Sequence, residues 1–471
     1  MNQPATIAWR PDLTGRPGPL YRAIATALAD DIAAGTLAPG TRLPTHRDLA
    51  WELKVTVGTI TRAYQEAERL GLIGGEVGRG TFVRDPKRLV DSAHDSAGLL
   101  AMGGLIDLSV NATALWPDAS ALSAATMNVA QQPDLPLLMS YQTPMGHPRL
   151  RASIADWLDQ SAGLEADPDR ILLAAGGQGA MHAAIAAVTR PGDALLVEQL
   201  TYPGLRSLAL HLGLRLIPVA MDGDGLIPDA VEQAARSHGA HVLYCMPTLH
   251  NPTTATMPLE RRQALVDIAR RIGLTLVEDD VYGFLKSPPP PPLAVLGPDV
   301  TLYISSLSKS LFPGLRTGYV IAPRPLLDRL ATVLRASLLT PAHLGMVVAA
   351  ELIDSGEATL IAQRRRQMLA ERQARARTIL GPAGLEGSDP AVTHLWRRLP
   401  DHIRRDDLVR VALERGVKIT PADAFSAGKG EIANAVRICL MGVDKQEGLE
   451  QGLDILAGLM EHPVASSAAL V

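Results

Sequence analysis

Lys309 stands in Tyr303-Ile-Ser-Ser-Leu-Ser-Lys-Ser-Leu-Phe-Pro-Gly-Leu-Arg-Thr-Gly-Tyr319, with Ser306 and Ser308 three and one residues before it and Arg316 seven residues after. A lysine shielded from water can lose its proton and attack an aldehyde. Hydroxyls and a guanidinium can donate hydrogen bonds to a phosphate dianion. Pyridoxal phosphate (PLP) carries both groups. The apolar run Thr301-Leu-Tyr-Ile304 reads as a strand, so Lys309 should lie just past a strand end, where open α/β sheets hold their ligands. Alone, Ser-x-x-Lys also fits a solvated loop lysine, and the rest of the chain decides between the two.

Three earlier apolar runs each end in a polar group suited to the same cofactor. Leu274–Glu278 is followed by Asp279, Asp280 and Tyr282. A carboxylate beside the pyridine nitrogen keeps that nitrogen protonated, and a tyrosine hydroxyl can bond the phenolic oxygen. His241–Cys245 leads to Asn251, whose amide could donate to the same oxygen, and Ala194–Glu198 leads to Tyr202, which could stack on the ring. Ile171-Leu-Leu-Ala-Ala-Gly-Gly-Gln-Gly-Ala-Met181 reads as strand, glycine loop and helix; backbone amides at a helix start can bind phosphate. His182 stands where a dinucleotide fingerprint needs its third glycine.

These runs must be carried by a sheet. Further strand-like runs at Arg215–Val219 and Tyr319–Ile321 alternate with helical patterns, which predicts a largely parallel sheet covered by helices on both faces. An Arg- and Gln-rich helix is expected near 360–380, and a smaller α+β lobe from about 390 onward. The 471 residues, 47% of them hydrophobic, suffice for two or more domains. No apolar run approaches a membrane span, and the N-terminus has no signal-peptide pattern, so the expected location is the cytoplasm. Cys245 and Cys439 sit in apolar runs far apart, without metal-ligand spacing.

The first 83 residues have another character. Leu20, Ile24, Leu28 and Ile32 recur at helical spacing until Gly35; Thr45 and Asp48 have capping-box spacing before a short second helix. A third helix is expected from Thr56, with Val57, Ile60, Tyr64, Ala67 and Leu70 on one face. Two helices joined around Lys54 and Val55 read as helix-turn-helix, and Leu72–Val83 as a wing tipped by Arg79. Small polar residues at the start of the third helix, Thr56, Gly58, Thr59 and Thr61 with Arg62 behind them, can enter a major groove closely. Arg42, Arg47 and Arg79 would meet phosphates around it, and Thr45 at the start of the second helix is counted with the DNA-binding residues. A three-helix packing domain with solvated arginines is the other reading of this pattern. Residues 1–90 carry 12 Lys+Arg against 9 Asp+Glu, a net +3 that leaves −7 on the remainder and suits an anionic N-terminal partner. Residues 84–104 lose periodicity and read as a linker between a domain over 1–83 and one over 105–471.

Leu43-Pro-Thr-His-Arg-Asp-Leu-Ala50, Val55-Thr-Val-Gly-Thr-Ile-Thr-Arg-Ala-Tyr64 and Gly78-Arg-Gly-Thr-Phe-Val83 resemble the winged helix of GntR-type bacterial regulators. Many relatives have a basic residue where Val57 and Gly58 stand, so base preference is expected to differ. Residues 105–460 resemble fold-type I PLP aminotransferases. That resemblance implies that Lys309 carries the cofactor as a Schiff base, Asp279 pairs with the pyridine nitrogen, Tyr282 and Asn251 bind the phenolic oxygen and Tyr202 stacks on the ring. It also implies that Gly177, Gln178, Ser306, Ser308 and Arg316 hold the phosphate, that Tyr141 reaches the phosphate of a neighbouring subunit in a homodimer, and that Arg437 clamps a ligand carboxylate. Gly177 departs from the hydroxyl frequent in relatives, and Ala422 from a usual Pro-Gly. The combination resembles the MocR subfamily of GntR regulators, which implies a multidomain α/β protein binding double-stranded operator DNA and an amine or amino-acid effector. A working aminotransferase is the alternative. A Ser-x-x-Lys acyl transferase lacks its Ser-Asp-Asn and Lys-Thr-Gly companions.

Overall fold

The computed structural model describes residues 9–13, 19–38, 41–69, 72–76, 80–83, 105–112, 119–385, 389–428 and 432–461. The chain divides into two compact units, residues 1–100 and 101–471. Arg79 and the linker expected over 84–104 lie outside the described residues.

In the first unit, α1 (Leu20–Ala33) turns away at Gly35, whose φ of +75° is costly for any residue with a side chain. Ile24 and Leu28 bury against Ile60, Ala63 and Ala67 of α3 (Val57–Arg69). The short α2 (His46–Glu52) starts where expected: the Thr45 hydroxyl accepts from the Asp48 amide at 3.2 Å and donates to the Asp48 carboxylate at 2.6 Å. Tyr64 ties α3 to the segment before α2 by donating to the Pro44 carbonyl at 2.9 Å. Val57, expected on the buried face, is 45% exposed; it opens the helix, where no preceding turn covers it. Leu70 lies outside the described residues. The wing is the antiparallel pair β1 (Ile73–Glu76) and β2 (Gly80–Val83).

The second unit begins with β3 (Ile106–Asp107) and then builds a seven-stranded sheet. Its strands are β4 (Ile171–Ala175), β5 (Ala194–Glu198), β6 (Arg215–Val219), β9 (Val242–Cys245), β10 (Thr275–Asp279), β11 (Thr301–Ser306) and β12 (Thr317–Ile321). A small hairpin of β7 (Met221–Asp222) and β8 (Gly225–Leu226) follows β6. The order is β4-β12-β11-β10-β9-β5-β6. All neighbours are parallel except β12, which is antiparallel to both β11 and β4. Most central strands are buried along their whole length, as strands covered on two faces must be. The glycine loop expected after β4 does not form as a separate element. Helix Gly176–Val188 begins at the next residue, and Gly176 makes the turn at φ +74°.

The smaller lobe is the sheet β13-β16-β15, formed by β13 (His394–Arg398), β15 (Thr420–Pro421) and β16 (Ala435–Cys439), with β14 (Val417–Lys418) beside it. Its neighbour in sequence does not complete it. Residues 105–112 cross over instead, and β3 pairs in parallel with β14. The long helix Glu357–Leu380 is Arg-rich as expected, yet Arg365 and Arg372 are buried and donate to the carbonyls of Lys309 (2.9 Å) and Leu440 (2.7 Å). Among the described residues no helix is long and apolar enough to cross a membrane.

Candidate functional site

Four parallel strand ends and the crossover segment 105–112 converge on Lys309. Burial pushes its amine down to about 8, because a charged ammonium loses its hydration there. Its ammonium donates to the backbone carbonyl of Asn111. At the end of β10, Asp279 is buried and its Oδ2 accepts from the Tyr244 hydroxyl at 2.6 Å. Burial raises this carboxyl to about 7, while the Tyr244 hydrogen bond opposes the rise. Oδ1 of Asp279 is buried without a hydrogen-bond partner. Tyr282, also buried, accepts from Asn111 Nδ2 at 2.7 Å, and its phenol is pushed up by burial.

Asn251 hangs from the loop after β9. That loop is pinned by Arg262, which is fully buried and donates at 2.8 Å to Met257 O, Pro247 O and Thr248 Oγ1. The Asn251 carbonyl oxygen accepts from Arg437 Nη1 at 2.9 Å, and Arg437 Nη2 donates to Ser109 O at 2.7 Å. Arg437 also lies 4.7 Å from the centre of the Phe425 ring, close to the fixed face of an aromatic pair with Trp396. The lysine, Asp279, Tyr282, Asn251 and Arg437 are therefore brought together from four segments of chain.

Tyr202 caps the helix after β5, and its ring covers Gly204 so closely that a side chain there would collide with it. Gln178 donates to the carbonyl of Gly204 at 3.3 Å. Arg316 has a left-handed backbone (φ +49°), and its guanidinium lies over Gly176 and donates to Ala175 O at 3.2 Å. Ser306 is buried at the end of β11. A Cβ on Gly177 would sit 3.3 Å from its Oγ, so glycine leaves room that a larger residue would take. Ser308 is half-buried beside Lys309, whereas Tyr141 is 82% exposed and lies outside this group of residues.

In the first unit, Thr45, Arg47, Thr56 and Arg62 are exposed, and Arg42, Thr59 and Thr61 are half-buried. The Thr56 hydroxyl accepts from the Thr59 amide at 3.2 Å and meets its hydroxyl at 2.9 Å. Thr61 donates to Val57 O at 3.0 Å. The start of α3 thus offers small, locally satisfied polar groups.

The family "Bacterial regulatory proteins, gntR family" matches residues 20–83, and "Aminotransferase class I and II" matches residues 104–456. The chain belongs to the GntR regulators of the MocR type. It is 33% identical to the uncharacterized HTH-type transcriptional regulator YdeF of Bacillus subtilis over 97% of both chains. It is 27% identical to the probable rhizopine catabolism regulatory protein MocR of Rhizobium meliloti over 86% of both. Among solved structures, an archaeal alanine:glyoxylate aminotransferase superposes with a TM-score of 0.72 at 24% identity, covering 85% of this chain and all of that one. LysN, an α-aminoadipate aminotransferase of Thermus thermophilus complexed with a phosphopyridoxyl-leucine, gives 0.68 at 25% identity, covering 78% and 96%.

The regulator's site fits the cofactor of that fold on an observation of its own. Asp279 Oδ1 is a buried acceptor with no donor, and a ring nitrogen carrying a proton would supply one. The opposite charge would bring the raised carboxyl back toward its ordinary range. Three of the regulator's site neighbours escape a reading of the sequence: Asn111, Tyr244 and His394. Tyr244 stands in an apolar strand and reads as core; Asn111 and His394 reach the site only through the pairing of distant segments.

Proposed function

We propose that the chain is a PLP-dependent transcriptional regulator that binds operator DNA through its winged helix and senses an amine or amino acid in its aminotransferase-like unit. One observation carries the reading. A lysine with a depressed pKa and a buried carboxylate with one oxygen, Asp279 Oδ1, left without a side-chain donor face one site, in a chain whose other unit is a GntR winged helix. Lys309 would hold the cofactor, with Asp279 at the pyridine nitrogen, Tyr282 and Asn251 at the phenolic oxygen and Tyr202 against the ring. Gly177, Gln178, Ser306, Ser308 and Arg316 would hold the phosphate, and Tyr141 would reach it from a second copy in a homodimer. When bound, the cofactor supplies an electrophilic carbon that an amine can attack. Arg437 would select amines that carry a carboxylate, exchanging its bonds to Asn251 and Ser109 for a bidentate pair. Arg42, Thr45, Arg47, Thr56, Thr59, Thr61, Arg62 and Arg79 form the proposed DNA face. Segment 84–104 would link the two units, and a chain bound to operator DNA would work in the cytoplasm.

For a ligand to switch DNA binding it must favour one conformation over another, and a tenfold effect needs about 1.4 kcal/mol of coupling. The test is a panel of amino acids and carboxylated amines scored by cofactor absorbance and by anisotropy against the promoter nearest the regulator's own gene. A ligand that changes both readouts in wild type, and neither in Arg437→Ala, supports the reading. A working aminotransferase is the second reading, favoured by the lysine near pKa 8, which can exchange a proton at physiological pH. Rapid multiple-turnover transamination with no ligand altering DNA binding would decide for it.

A further inference from the structure

We propose that Asn111 is a positioning residue: it fixes the direction in which the Tyr282 hydroxyl donates its hydrogen, and so sets the proton affinity of whatever Tyr282 faces. The inference rests on the proposed function above, and the geometry behind it runs in one direction. His394 is completely buried, and its Nε2 lies 3.1 Å from the carbonyl oxygen of Pro252. A carbonyl only accepts, so Nε2 carries the imidazole proton and Nδ1 is a bare acceptor. Nδ1 lies 3.3 Å from Asn111 Nδ2, which makes that amide nitrogen the donor. The opposite end of the carboxamide agrees, since Asn111 Oδ1 accepts from the Thr393 hydroxyl at 2.6 Å. The carboxamide therefore cannot flip without setting two donors or two acceptors face to face.

The second hydrogen on Nδ2 points to the Tyr282 oxygen at 2.7 Å. With that lone pair engaged, the phenol keeps its own hydrogen for a further acceptor. Burial keeps Tyr282 protonated, and Asn111 is not among the residues that would touch the cofactor through its side chain. Its role is to make Tyr282 a donor in one direction. A tyrosine free to rotate would spend part of its time donating to its neighbours instead. The same residue meets Lys309 through its backbone carbonyl, so one position in the crossover segment after β3 adjoins both groups.

A donor to an anionic phenolic oxygen spreads its charge and lowers the proton affinity of the site. Loss of that donor raises the pH midpoint at which bound cofactor changes its visible absorbance. Asn111→Leu removes the amide while keeping bulk and charge neutrality. It should raise the midpoint by about half a unit, against about one unit for Tyr282→Phe, which removes a hydrogen bond to a charged group outright. Thr393→Val, which removes the donor to Asn111 Oδ1 and leaves His394 Nδ1 alone to orient the amide, should move it the same way by less. Asp279, Arg437, Cys439 and Tyr202 also act on this hydroxyl and are unchanged in every variant. The deciding measurement is the double variant: Asn111→Leu should add nothing in a Tyr282→Phe background. A general loosening of the site would add there undiminished. A full cofactor load in both Asn111→Leu and Thr393→Val with an unmoved midpoint, or a shift that persists in the double variant, overturns the proposal while leaving the proposed function standing. Wild-type protein that takes up no PLP overturns both.

Discussion

The winged helix and the cofactor site satisfy their polar groups by opposite means. At the proposed DNA face, partners are three or four residues apart: Thr45 with Asp48, Thr56 with Thr59, Thr61 with Val57. Around Lys309 they are 171 residues apart for Asn111 and Tyr282, 186 for Asn251 and Arg437, and 328 for Ser109 and Arg437. Water can replace any lost partner at the exposed face. At the buried site an unpaired group keeps its full desolvation cost. The lesson is that one region loses little when a partner is removed, whereas the other carries a desolvation cost for each partner it loses.

The sharpest break is expected at Lys309. Lys309→Ala should abolish borohydride-fixed pyridoxyl label on the chain, while circular dichroism stays that of the wild type. Label found on another lysine by peptide mapping would overturn the site. Next comes Asp279, which sharpens the contrast through pH. Its folded value of about 7 lies above the ordinary aspartate value of about 3.9. A raised carboxyl contributes stability that is fully present below the unfolded value and lost as pH rises through the folded one. Cofactor-free wild type should therefore lose stability on the order of a few kcal/mol between pH 5 and pH 8 from this group. Asp279→Asn, a neutral isostere, should lose less over the same window in urea titrations. Glu198 and Glu278, raised by burial to about 8 and about 7, keep part of the slope in both proteins. Equal slopes for wild type and variant would show that Asp279 is not the strained group.

The same contrast explains what could be read from the residues. The helix-turn-helix was legible because its signals are local: a Thr-x-x-Asp cap, a four-residue apolar period and a glycine stop. The parallel sheet was legible because buried strands are continuous apolar runs. Lys309, Asp279, Asn251 and Tyr202 follow such runs directly, so sequence order alone put them at one sheet edge. What stayed hidden was pairing at a distance. Nothing near Ile106 announces that β3 joins β14 of the small lobe, and with that pairing goes the approach of Asn111 to Tyr282. Buried Arg365 and Arg372 were likewise hidden, because an arginine-rich helix looks solvated until the carbonyls it caps are in place.

At the DNA face the expected losses are smaller and graded. Arg47→Ala and Arg62→Ala should each weaken operator binding across sequences and reduce the salt slope by about one. Fluorescence anisotropy over a range of salt concentrations measures both. An unchanged slope would remove that arginine from the phosphate contacts. Two such losses should add, because exposed charges apart from each other act independently. A pair within the cofactor site should not.

The smallest effect is expected at Thr45, and it tests whether the local face is as self-sufficient as its geometry suggests. The Thr45 hydroxyl fills two roles within α2, accepting from the Asp48 amide and donating to its carboxylate. An N-cap threonine replaced by alanine costs about 1 kcal/mol. Thr45→Ala should thus lower the stability of the winged helix by about that amount, while Thr45→Ser, which keeps the hydroxyl, should restore nearly all of it. Because the cap only starts a seven-residue helix, the cofactor absorbance of the other unit should not respond. DNA affinity separates the cap from a direct contact. If Thr45 acts only by holding α2, affinity measured well below the unfolding temperature falls little in Thr45→Ala. If the hydroxyl also meets a phosphate, affinity falls in Thr45→Ala and returns in Thr45→Ser together with stability. A Thr45→Ala variant as stable as wild type would show that the Asp48 amide finds water as readily as the hydroxyl, and that even the cap is dispensable on this exposed face.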